Sequence, residues 1–521
     1  MEEISSLEML EKVLGQHRAF GNSDYIHEQL QVCYKRRLSK IAAYLPVAGQ
    51  LLDALCQADN HSRYRVIGDT VVRCTVQHAL KQLETGTQYG LPLDQCEEVF
   101  QETIRHLEQG KRGAPLESGV TQVNRLGPDS NYAWVWSEEH SDDVFGRSFR
   151  YVIQENYSES LCTPTIDELA ILAKGAQLLS ELVPLLSRSA LSHVHLIAVF
   201  PAVGNWKSKA SSSQFRVSGT IFLNREALQN PWWVAEHLFH ESLHQKLYDF
   251  RHGHSLLERD AVLNHEGLAE DARRVCSLWN IPDVNRSNYW DIHRAVAAFH
   301  VYVHLALLSA LAEQRVPDLE KVYGSLRGSL TMIKSRRALE RAHYLGEQIK
   351  ELCWQELGLA GKSLIDWLIT VLDVLDPSPP PQGSYIHLLL DRYQTEAKKV
   401  GSFLGKVDPD TLKREPAVSS DLEHQLMSVI SDEVKSTRCV LSTLNAEADL
   451  DRFNNALAQY SNEDLGTKFS QIRTLISKSL LDLSPDGYRL KCSSPESKTP
   501  EEIVKEMVES SSQRLDTLLI S

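Results

Sequence analysis

The chain has 521 residues, of which 42% are hydrophobic and 24% charged, and its formal net charge at pH 7 is -14. This length is enough for two or three domains with a sizeable core, and the composition is typical of a soluble globular protein. The negative charge argues against broad, non-specific binding to nucleic acid.

The sequence also lacks signals for export or membrane insertion. The opening stretch, MEEISSLEML, is acidic and polar, unlike the basic start and apolar run of a signal peptide. No stretch approaches 18 consecutive apolar residues, so we expect no membrane span. Nine scattered cysteines without a C-x-x-C pair indicate reduced thiols. We therefore expect a cytoplasmic protein without nucleic-acid or membrane partners.

Residues 1 to about 125 are predicted to form a helical N-terminal region. SLEMLEKVL and SKIAAYLPVAGQLLDALCQ place apolar residues three and four positions apart, and CEEVFQETIRHLEQG is an amphipathic stretch that ends at Gly110. From residue 130 the pattern changes. NYAWVWS and RSFRYVIQENY carry aromatic and β-branched residues in alternation, which predicts short strands.

The next elements alternate between helix and strand. TIDELAILAKGAQLLSELVPLL is a predicted helix, with Thr165 as N-cap and Glu168 at the position that completes a capping box. HVHLIAVF (193–200) and FRVSGTIFLN (215–224) are predicted strands. From Asn230 to about residue 375 the pattern predicts almost nothing but helix.

The segment DPSPPPQGS (376–384) is the clearest domain boundary, because three successive prolines cannot continue a helix and favour an extended linker. Beyond it, residues 385–521 are predicted to be a helical C-terminal region, with Thr499 capping one of its helices. We therefore predict a mostly α fold with a small β element (α+β), in which a central domain, 126–375, lies between the helical regions 1–125 and 385–521.

The strongest functional signal is FHESLHQKLYDF (239–250), which contains the motif H-E-x-x-H as His240, Glu241 and His244. A preceding Asn-Pro pair predicts the start of its helix. Residues four apart lie on one helix face, so both imidazoles can meet at one metal ion. Glu241 is offset by about 100°, from where it can reach a water molecule or orient a ligand. We expect this helix and a buried histidine-bearing helix to form a metal site.

One candidate third ligand lies in NHEGLAEDARR (264–274), where Glu266 follows His244 by 22 residues. This is the region in which thermolysin-like zinc peptidases place a glutamate ligand. The sequence predicts a helix over 255–279, and Glu266 lies on its far side from the apolar stripe, which favours a solvated role. That stripe consists of Leu268, Ala272, Val275 and Trp279.

The other candidates lie in YWDIHRAVAAFHVYVHLALLSALA (289–312), which is apolar almost throughout and is therefore predicted to be buried. His293, His300 and His304 share one stripe of this helix. A buried imidazole needs a partner for each ring nitrogen. Beside an H-E-x-x-H helix, we favour His300 or His304 as the third ligand, and His293 and Glu266 stay open as alternatives.

The chain resembles a known family at this point, the 2-oxoglutarate- and iron-dependent H-E-x-x-H peptide β-hydroxylases. The resemblance covers roughly 190–375 and rests on four segments in order: SSSQFRVSGTIFLN, HLFHESLHQKLYDF, YWDIHRAVAAFHVYV, and the pair RRALERAHYLGEQIKEL and LGLAGKSLIDWL. It implies Fe(II) held by His240, His244 and His300, with 2-oxoglutarate and O₂ as co-substrates. It also implies hydroxylation, at the β-carbon, of an amino acid in a peptide or on a carrier protein.

A site for 2-oxoglutarate also needs a cation for the distal carboxylate, and arginine binds carboxylates in a fork. The segment SRRALERAH offers Arg336, Arg337 and Arg341. Arg337 and Arg341 are four apart and share a face, so we predict that these two bind the co-substrate. Lys207 and Lys209, in the Ser-rich loop, are alternative partners for a substrate carboxylate.

The same motif occurs in zinc metallopeptidases, and this alternative stays open because the inserted segment 255–279 departs from the hydroxylase pattern. In a peptidase, Glu241 is the general base that activates water for attack on a peptide carbonyl, with Glu266 as the third zinc ligand. In a hydroxylase no base is needed, and Glu241 orients a ligand or a water molecule. A third possibility is a scaffold of helices without catalytic activity.

Overall fold

The computed structural model describes residues 6–126, 133–207, 209–258, 274–280, 287–326, 332–379, 386–406, 416–444, 446–460, 465–481 and 498–520. Within these residues the protein is mostly helical and has a small mixed sheet, which confirms the predicted fold class at that level. The chain divides into two compact units. The first comprises Met1–Glu266, Val296–Ala342 and Trp354–Pro377, and the second comprises Gly267–Ala295, His343–Cys353 and Ser378–Ser521.

The N-terminal region is helical, as predicted. Local sequence sets several helix ends: a proline begins α3, and the Asp69 carboxylate accepts hydrogen bonds from Val71 and Val72 N–H at the start of α5. The helices are α1 (Ser6–Gln16), α2 (Ser23–Ala42), α3 (Pro46–Gln57), α4 (Asn60–Gly68), α5 (Thr70–Thr85) and α6 (Leu93–Glu108).

A four-stranded sheet lies in the first unit. Its strands are β1 (Trp134–Val135), β2 (Leu196–Phe200), β3 (Ser211–Ser212) and β4 (Thr220–Asn224), in the order β1-β2-β4-β3. β1, β2 and β4 are parallel, and β3 is an antiparallel edge strand that pairs with β4. The predicted strands at 193–200 and 215–224 are confirmed in their C-terminal halves, whereas Phe215–Val217 forms a 3-10 turn.

The predicted strand in RSFRYVIQENY is wrong, because this segment is helical. Helix α7 (Val144–Tyr157) begins at Asp143, whose carboxylate accepts a hydrogen bond from Gly146 N–H at 2.8 Å. The large buried side chains recur three and four positions apart, so the helical period fits the core better than alternation does. They are Phe145, Phe149, Val152, Ile153 and Tyr157.

Three further helices frame the sheet: α8 (Ile166–Leu182), α9 (Pro184–Leu191) and α10 (Pro231–Gly253). The predicted capping box of α8 is confirmed, since Thr165 and Glu168 exchange side-chain and backbone hydrogen bonds. Helix α10 packs against α2, α8 and α9, and also touches β3 and β4. It is therefore fixed on several sides, which gives the motif it carries a rigid base.

The region after α10 departs from the predicted run of helices. β5 (Val275–Cys276) and β6 (Tyr289–Trp290) form an antiparallel pair, so the prediction of a helix over 255–279 is wrong at its C-terminal end. Residues 255–258 are not helical either, and Leu257 forms an isolated β-bridge with Leu357. Residues 259–273 of that prediction lie outside the described residues. The following helices are α11 (Ile292–Tyr323), α12 (Ser335–Leu352) and α13 (Leu359–Leu375).

Helix α11 is long and apolar enough, by length and composition, to cross a membrane. However, 83% of its most apolar 18-residue window is buried inside the protein. The core helix of a soluble protein has the same property. Burial of this helix agrees with the sequence prediction for 289–312, although Tyr289 and Trp290 belong to β6.

The C-terminal region is helical in its described part, as predicted. Helices α14 and α15 each pack against both α17 and α18. The predicted cap is confirmed by reciprocal hydrogen bonds between Thr499 and Glu502. The helices are α14 (Ile386–Lys406), α15 (Pro416–Thr443), α16 (Glu447–Ala458), α17 (Leu465–Leu481) and α18 (Pro500–Ile520).

Candidate metal centre

The two motif histidines converge on one face of α10. The Asn230 side chain accepts a hydrogen bond from Trp232 N–H at 2.9 Å, which fixes the first turn of the helix. His240 Nε2 and His244 Nε2 lie 3.2 Å apart. Two nitrogens bound to one ion at about 2.1 Å, and about 100° apart, are separated by the same distance. The separation matches that of two nitrogens on one divalent metal, and a shared metal would replace the hydrogen bond that now joins them.

The same face of α10 carries a row of rings, which the sequence analysis did not single out. His237 stacks on Trp233 with ring centroids 3.9 Å apart, and the His244 and Tyr248 centroids are 6.3 Å apart. Burial lowers the pKa of His237 to about 3, and it lowers the pKa of His240 against the opposing effect of Glu241. His237 and His240 are therefore neutral near pH 7, the state in which imidazole binds metal.

Glu241 is held by the edge strand of the sheet. Its side chain is buried, and Oε1 accepts a hydrogen bond from Ser211 Oγ at 2.5 Å. Its other oxygen, Oε2, accepts no hydrogen bond from the described residues. A buried carboxylate oxygen of this kind is suited to a water molecule or a ligand at the centre.

His300 and His304 of α11 are buried, as the sequence predicted for this helix, whereas His293 is half-buried. His304 Nδ1 donates to the His300 carbonyl oxygen at 2.7 Å, whereas His300 Nδ1 has no hydrogen-bond partner among the described residues. Burial, followed by the charges of His304, Lys246 and His244, holds the pKa of His300 well below its usual range. His300 therefore lies within electrostatic range of the motif. His293 lies at the beginning of α11.

The described residues contain one group of three metal-ligating side chains whose ligand atoms lie within 4.8 Å of one another, and it consists of His27, His193 and Asp249. No such group joins His300 to the pair formed by His240 and His244. The structure thus brings two of the predicted ligands together. The third ligand stays a prediction, and its alternative, Glu266, lies outside the described residues.

The group of His27, His193 and Asp249 was missed at the level of sequence. These residues come from α2, from the segment before β2 and from the last turns of α10. No local spacing connects them. The only available signals were the pair of histidines in HVHLIAVF and the acidic residue within the motif helix itself.

The predicted co-substrate ligands lie on α12. Arg341 Nη1 donates to Tyr302 Oη at 3.1 Å, and the guanidinium lies 5.4 Å from the centre of that ring. Burial raises the pKa of Glu236 to about 7, and the charge of Arg341 opposes this rise. Glu236 lies one turn before His240 on α10. Arg341 is therefore near the part of α10 that precedes the motif. Arg337 is half-buried.

The other predicted cations have different surroundings. Arg336 is exposed and pairs with Glu340 at 3.0 Å and with Asp376 at 3.2 Å, which makes it the weakest candidate of the three arginines. Lys209 is half-buried over the rings of Tyr157 and Trp206, at 5.0 and 5.1 Å from their centres, and burial lowers its pKa. Lys207 is exposed.

Comparison of the chain with protein-family models gave no match. Comparison with curated proteins gave no match either. The residues around α10 and their chemistry therefore carry the evidence for a function.

Proposed function

We propose that this protein is an Fe(II)- and 2-oxoglutarate-dependent oxygenase that hydroxylates an amino-acid side chain, at the β-carbon, in a peptide or carrier-bound substrate. The observation that carries the proposal is the convergence of His240 Nε2 and His244 Nε2, 3.2 Å apart on a partly exposed helix face. When bound, iron, 2-oxoglutarate and O₂ together supply the oxidising power needed at an unactivated C–H bond.

His240, His244 and His300 would hold the iron. Three protein ligands on one side leave positions free for a bidentate 2-oxoacid and for O₂. Two observations support this set: desolvation lowers the pKa values of both His240 and His300, and His300 Nδ1 lacks a hydrogen-bond partner among the described residues. A neutral, buried imidazole nitrogen without a partner is costly unless it binds a ligand.

Arg341, with Arg337 one turn before it, would bind the distal carboxylate of 2-oxoglutarate. Tyr302 orients the guanidinium of Arg341 through a hydrogen bond. The charge of Arg341 also lowers the pKa of Glu236, on the helix that carries the motif. A fork of N–H donors in a partly buried place is suited to a carboxylate. Glu241 would orient a ligand or a water molecule, since Ser211 already fixes one of its oxygens.

A zinc metallopeptidase is the second candidate function, and two observations favour it. Glu241 has one oxygen held by Ser211 on β3 and one oxygen without a partner among the described residues, which suits a positioned general base. Strand β3 is also an edge strand, and extended peptides bind to such edges through main-chain hydrogen bonds.

Anaerobic reconstitution with Fe(II) and titration with 2-oxoglutarate tests the first proposal. We expect one iron per chain and a visible charge-transfer band that saturates with 2-oxoglutarate. His240→Ala and His300→Ala should lose the band. His237→Ala, which alters the next ring on the same face, should keep it. A protein that retains zinc, binds no 2-oxoglutarate and shows no band would overturn the hydroxylase proposal.

Glu241→Gln separates the two candidate functions. The amide keeps the size of the side chain and can still accept from Ser211, but it cannot take a proton from water. A peptidase should lose about 100-fold or more of its turnover, whereas a hydroxylase should consume 2-oxoglutarate within about tenfold of the wild-type rate. The measurement is succinate release from the iron-loaded variant, beside peptide cleavage by the zinc-loaded variant.

A further inference from the structure

A second cluster of reactive side chains, formed by Ser23, His193 and Asp249, lies near the C-terminal end of α10. His193 Nδ1 lies 2.7 Å from Asp249 Oδ2, and His193 Nε2 lies 3.0 Å from Ser23 Oγ. The three side chains thus form a continuous line of hydrogen bonds from a hydroxyl, through an imidazole, to a carboxylate. His193 and Asp249 are fully buried, and Ser23 is 9% exposed.

The charges in the cluster fix its protonation. Burial alone would raise the pKa of Asp249, but Arg73 and His193 hold it well below its usual range. Burial lowers the pKa of His193, so the ring is neutral near pH 7. An ionised Asp249 accepts a hydrogen bond from the protonated Nδ1 of His193. The lone pair of His193 Nε2 then faces the Ser23 hydroxyl. This is the tautomer that a general base for serine requires.

A metal ion is the competing use of this cluster, because His27 also brings a ring nitrogen close to His193 and Asp249. Arg73 argues against it. Its guanidinium binds both oxygens of Asp249, at 2.7 and 3.3 Å, so the one anionic ligand is already neutralised by a fixed cation. The 2.7 Å distance between His193 and Asp249 is a direct hydrogen bond, which a shared metal would have to break.

Ser23 is reachable from solvent. It lies on the wall of a cavity of about 1080 Å³, together with His27 and Tyr64. The lining is mostly polar and carries both signs of charge, for example Glu28 and Arg188. Ser23 is also the first residue of α2, a helix of 20 residues whose N-terminal N–H groups favour developing negative charge. The cavity therefore suits a polar acyl compound.

We propose that Ser23, His193 and Asp249 form a second catalytic site, independent of metal, that hydrolyses a polar carboxylic ester bound in this cavity. Ser23 Oγ forms a bond to the acyl carbon while its proton passes to His193 Nε2. The ester C–O bond breaks, and the leaving alcohol takes that proton. Water then attacks the acyl group, gives its proton through His193 to Ser23, and releases the acid. Asp249, oriented by Arg73, positions the imidazole.

The Ser23 hydroxyl also contacts Ser189, which provides a matched control. Ser23 Oγ lies 2.8 Å from both the carbonyl oxygen and the hydroxyl of Ser189, and Lys246 Nζ donates to that hydroxyl at 2.8 Å. Ser189 also lines the cavity, but it has no histidine partner in the described structure. A reaction that needs general-base activation should therefore select Ser23 over Ser189.

The test is labelling of the full-length protein with a fluorophosphonate, followed by peptide mass mapping, and hydrolysis of p-nitrophenyl acetate. We expect one adduct per chain on Ser23, lost in Ser23→Ala and kept in Ser189→Ala. Hydrolysis should fall at least about 100-fold in Ser23→Ala and should persist in the presence of a chelator.

Two outcomes would overturn the proposal. One is an unmodified Ser23 in wild-type protein whose circular dichroism shows that it is folded. The other is stoichiometric Zn²⁺ binding that His27→Ala abolishes and Ser23→Ala retains, which would assign the cluster to a metal. Neither outcome bears on the iron-binding test, because that test measures a band dependent on His240.

Discussion

Glu236 has an environment that opposes its charge. It lies on α10 one turn before His240, is 7% exposed, and accepts a hydrogen bond from Ile333 N–H. Burial raises its pKa from 4.5 to about 7, against the opposing charge of Arg341. A carboxyl group in this position is protonated more readily in the folded than in the unfolded protein, so folding and pH are linked.

The sign of this linkage leads to a prediction. Because the folded-state pKa is raised, the stabilising effect is complete below about pH 4.5 and disappears as the pH rises to about 7. Over that interval the free energy of unfolding of the wild type should fall by about 3 kcal/mol relative to Glu236→Gln. Urea titrations of both proteins at several pH values measure the difference. Parallel pH profiles would contradict the assigned environment of Glu236.

Single residues also show where sequence is informative about a site. His240 and His244 were predictable because helical spacing alone brings them together, and the structure places their Nε2 atoms 3.2 Å apart. Ser23, His193 and Asp249 were not predictable, because only the packing of α2 and α10 around the segment before β2 brings them into contact. Spacing predicts contacts within an element but not contacts made by the fold.

At the scale of elements, the packing of α8 against α10 determines how firmly the motif helix is held. Gly175 on α8 faces Val234 on α10, and a Cβ added to Gly175 would lie 2.3 Å from Val234 Cγ1 and 3.2 Å from Ala235 N. The two helices can approach this closely only because position 175 has no side chain. Alanine there would force a shift in one or both helices.

We expect Gly175→Ala to destabilise the protein by about 1–3 kcal/mol, because overpacking outweighs the gain of about 1 kcal/mol in helix propensity. Iron binding should weaken as well, since α10 carries both motif histidines. Gly49→Ala is the matched control: position 49 is also in a helix, and an added Cβ would meet only Ala42 Cβ at 3.5 Å. That variant should be as stable as the wild type or more stable by up to about 1 kcal/mol.

Prediction of the elements succeeded where the signal was local. The capping boxes at Thr165 and Thr499 are confirmed, because a cap depends on side chains within one turn. The strand predicted in RSFRYVIQENY was wrong, because a short aromatic stretch is compatible with both the helical and the strand period. Only the packing of the folded core determines which of its residues are buried. β5 and β6 were missed for a related reason, since each is two residues long and exists only by pairing with the other.

At the scale of the molecule, the chain contains two units, and each of them buries an ion pair. The candidate metal ligands of α10 lie in the first unit. The second contains a buried ion pair, in which Arg473 on α17 donates to Glu433 on α15 at 2.7 Å. Tyr393 Oη donates to the same carboxylate at 2.6 Å. Neither charge of the pair is exposed to solvent, and the carboxylate of Glu396 lies farther from Arg473, at 3.9 Å.

We expect Glu433→Gln to destabilise the second unit by about 3–5 kcal/mol, because it leaves the Arg473 guanidinium buried beside a neutral partner. Asp432→Asn is the matched control, at the neighbouring position on the same helix. Its partner, Arg514, is 36% exposed and Asp432 is 69% exposed, so its loss should cost less than about 1 kcal/mol.

Thermal unfolding followed by circular dichroism, beside Fe(II) binding at low temperature, separates the contributions of the two units. Glu433→Gln should lower the unfolding temperature of the second unit and leave iron affinity unchanged, because the ion pair and the motif histidines belong to different units. Equal effects of Glu433→Gln and Asp432→Asn would show that Glu433 is solvated. Loss of iron binding in Glu433→Gln at a temperature where its circular dichroism matches the wild type would show that the metal centre depends on the second unit.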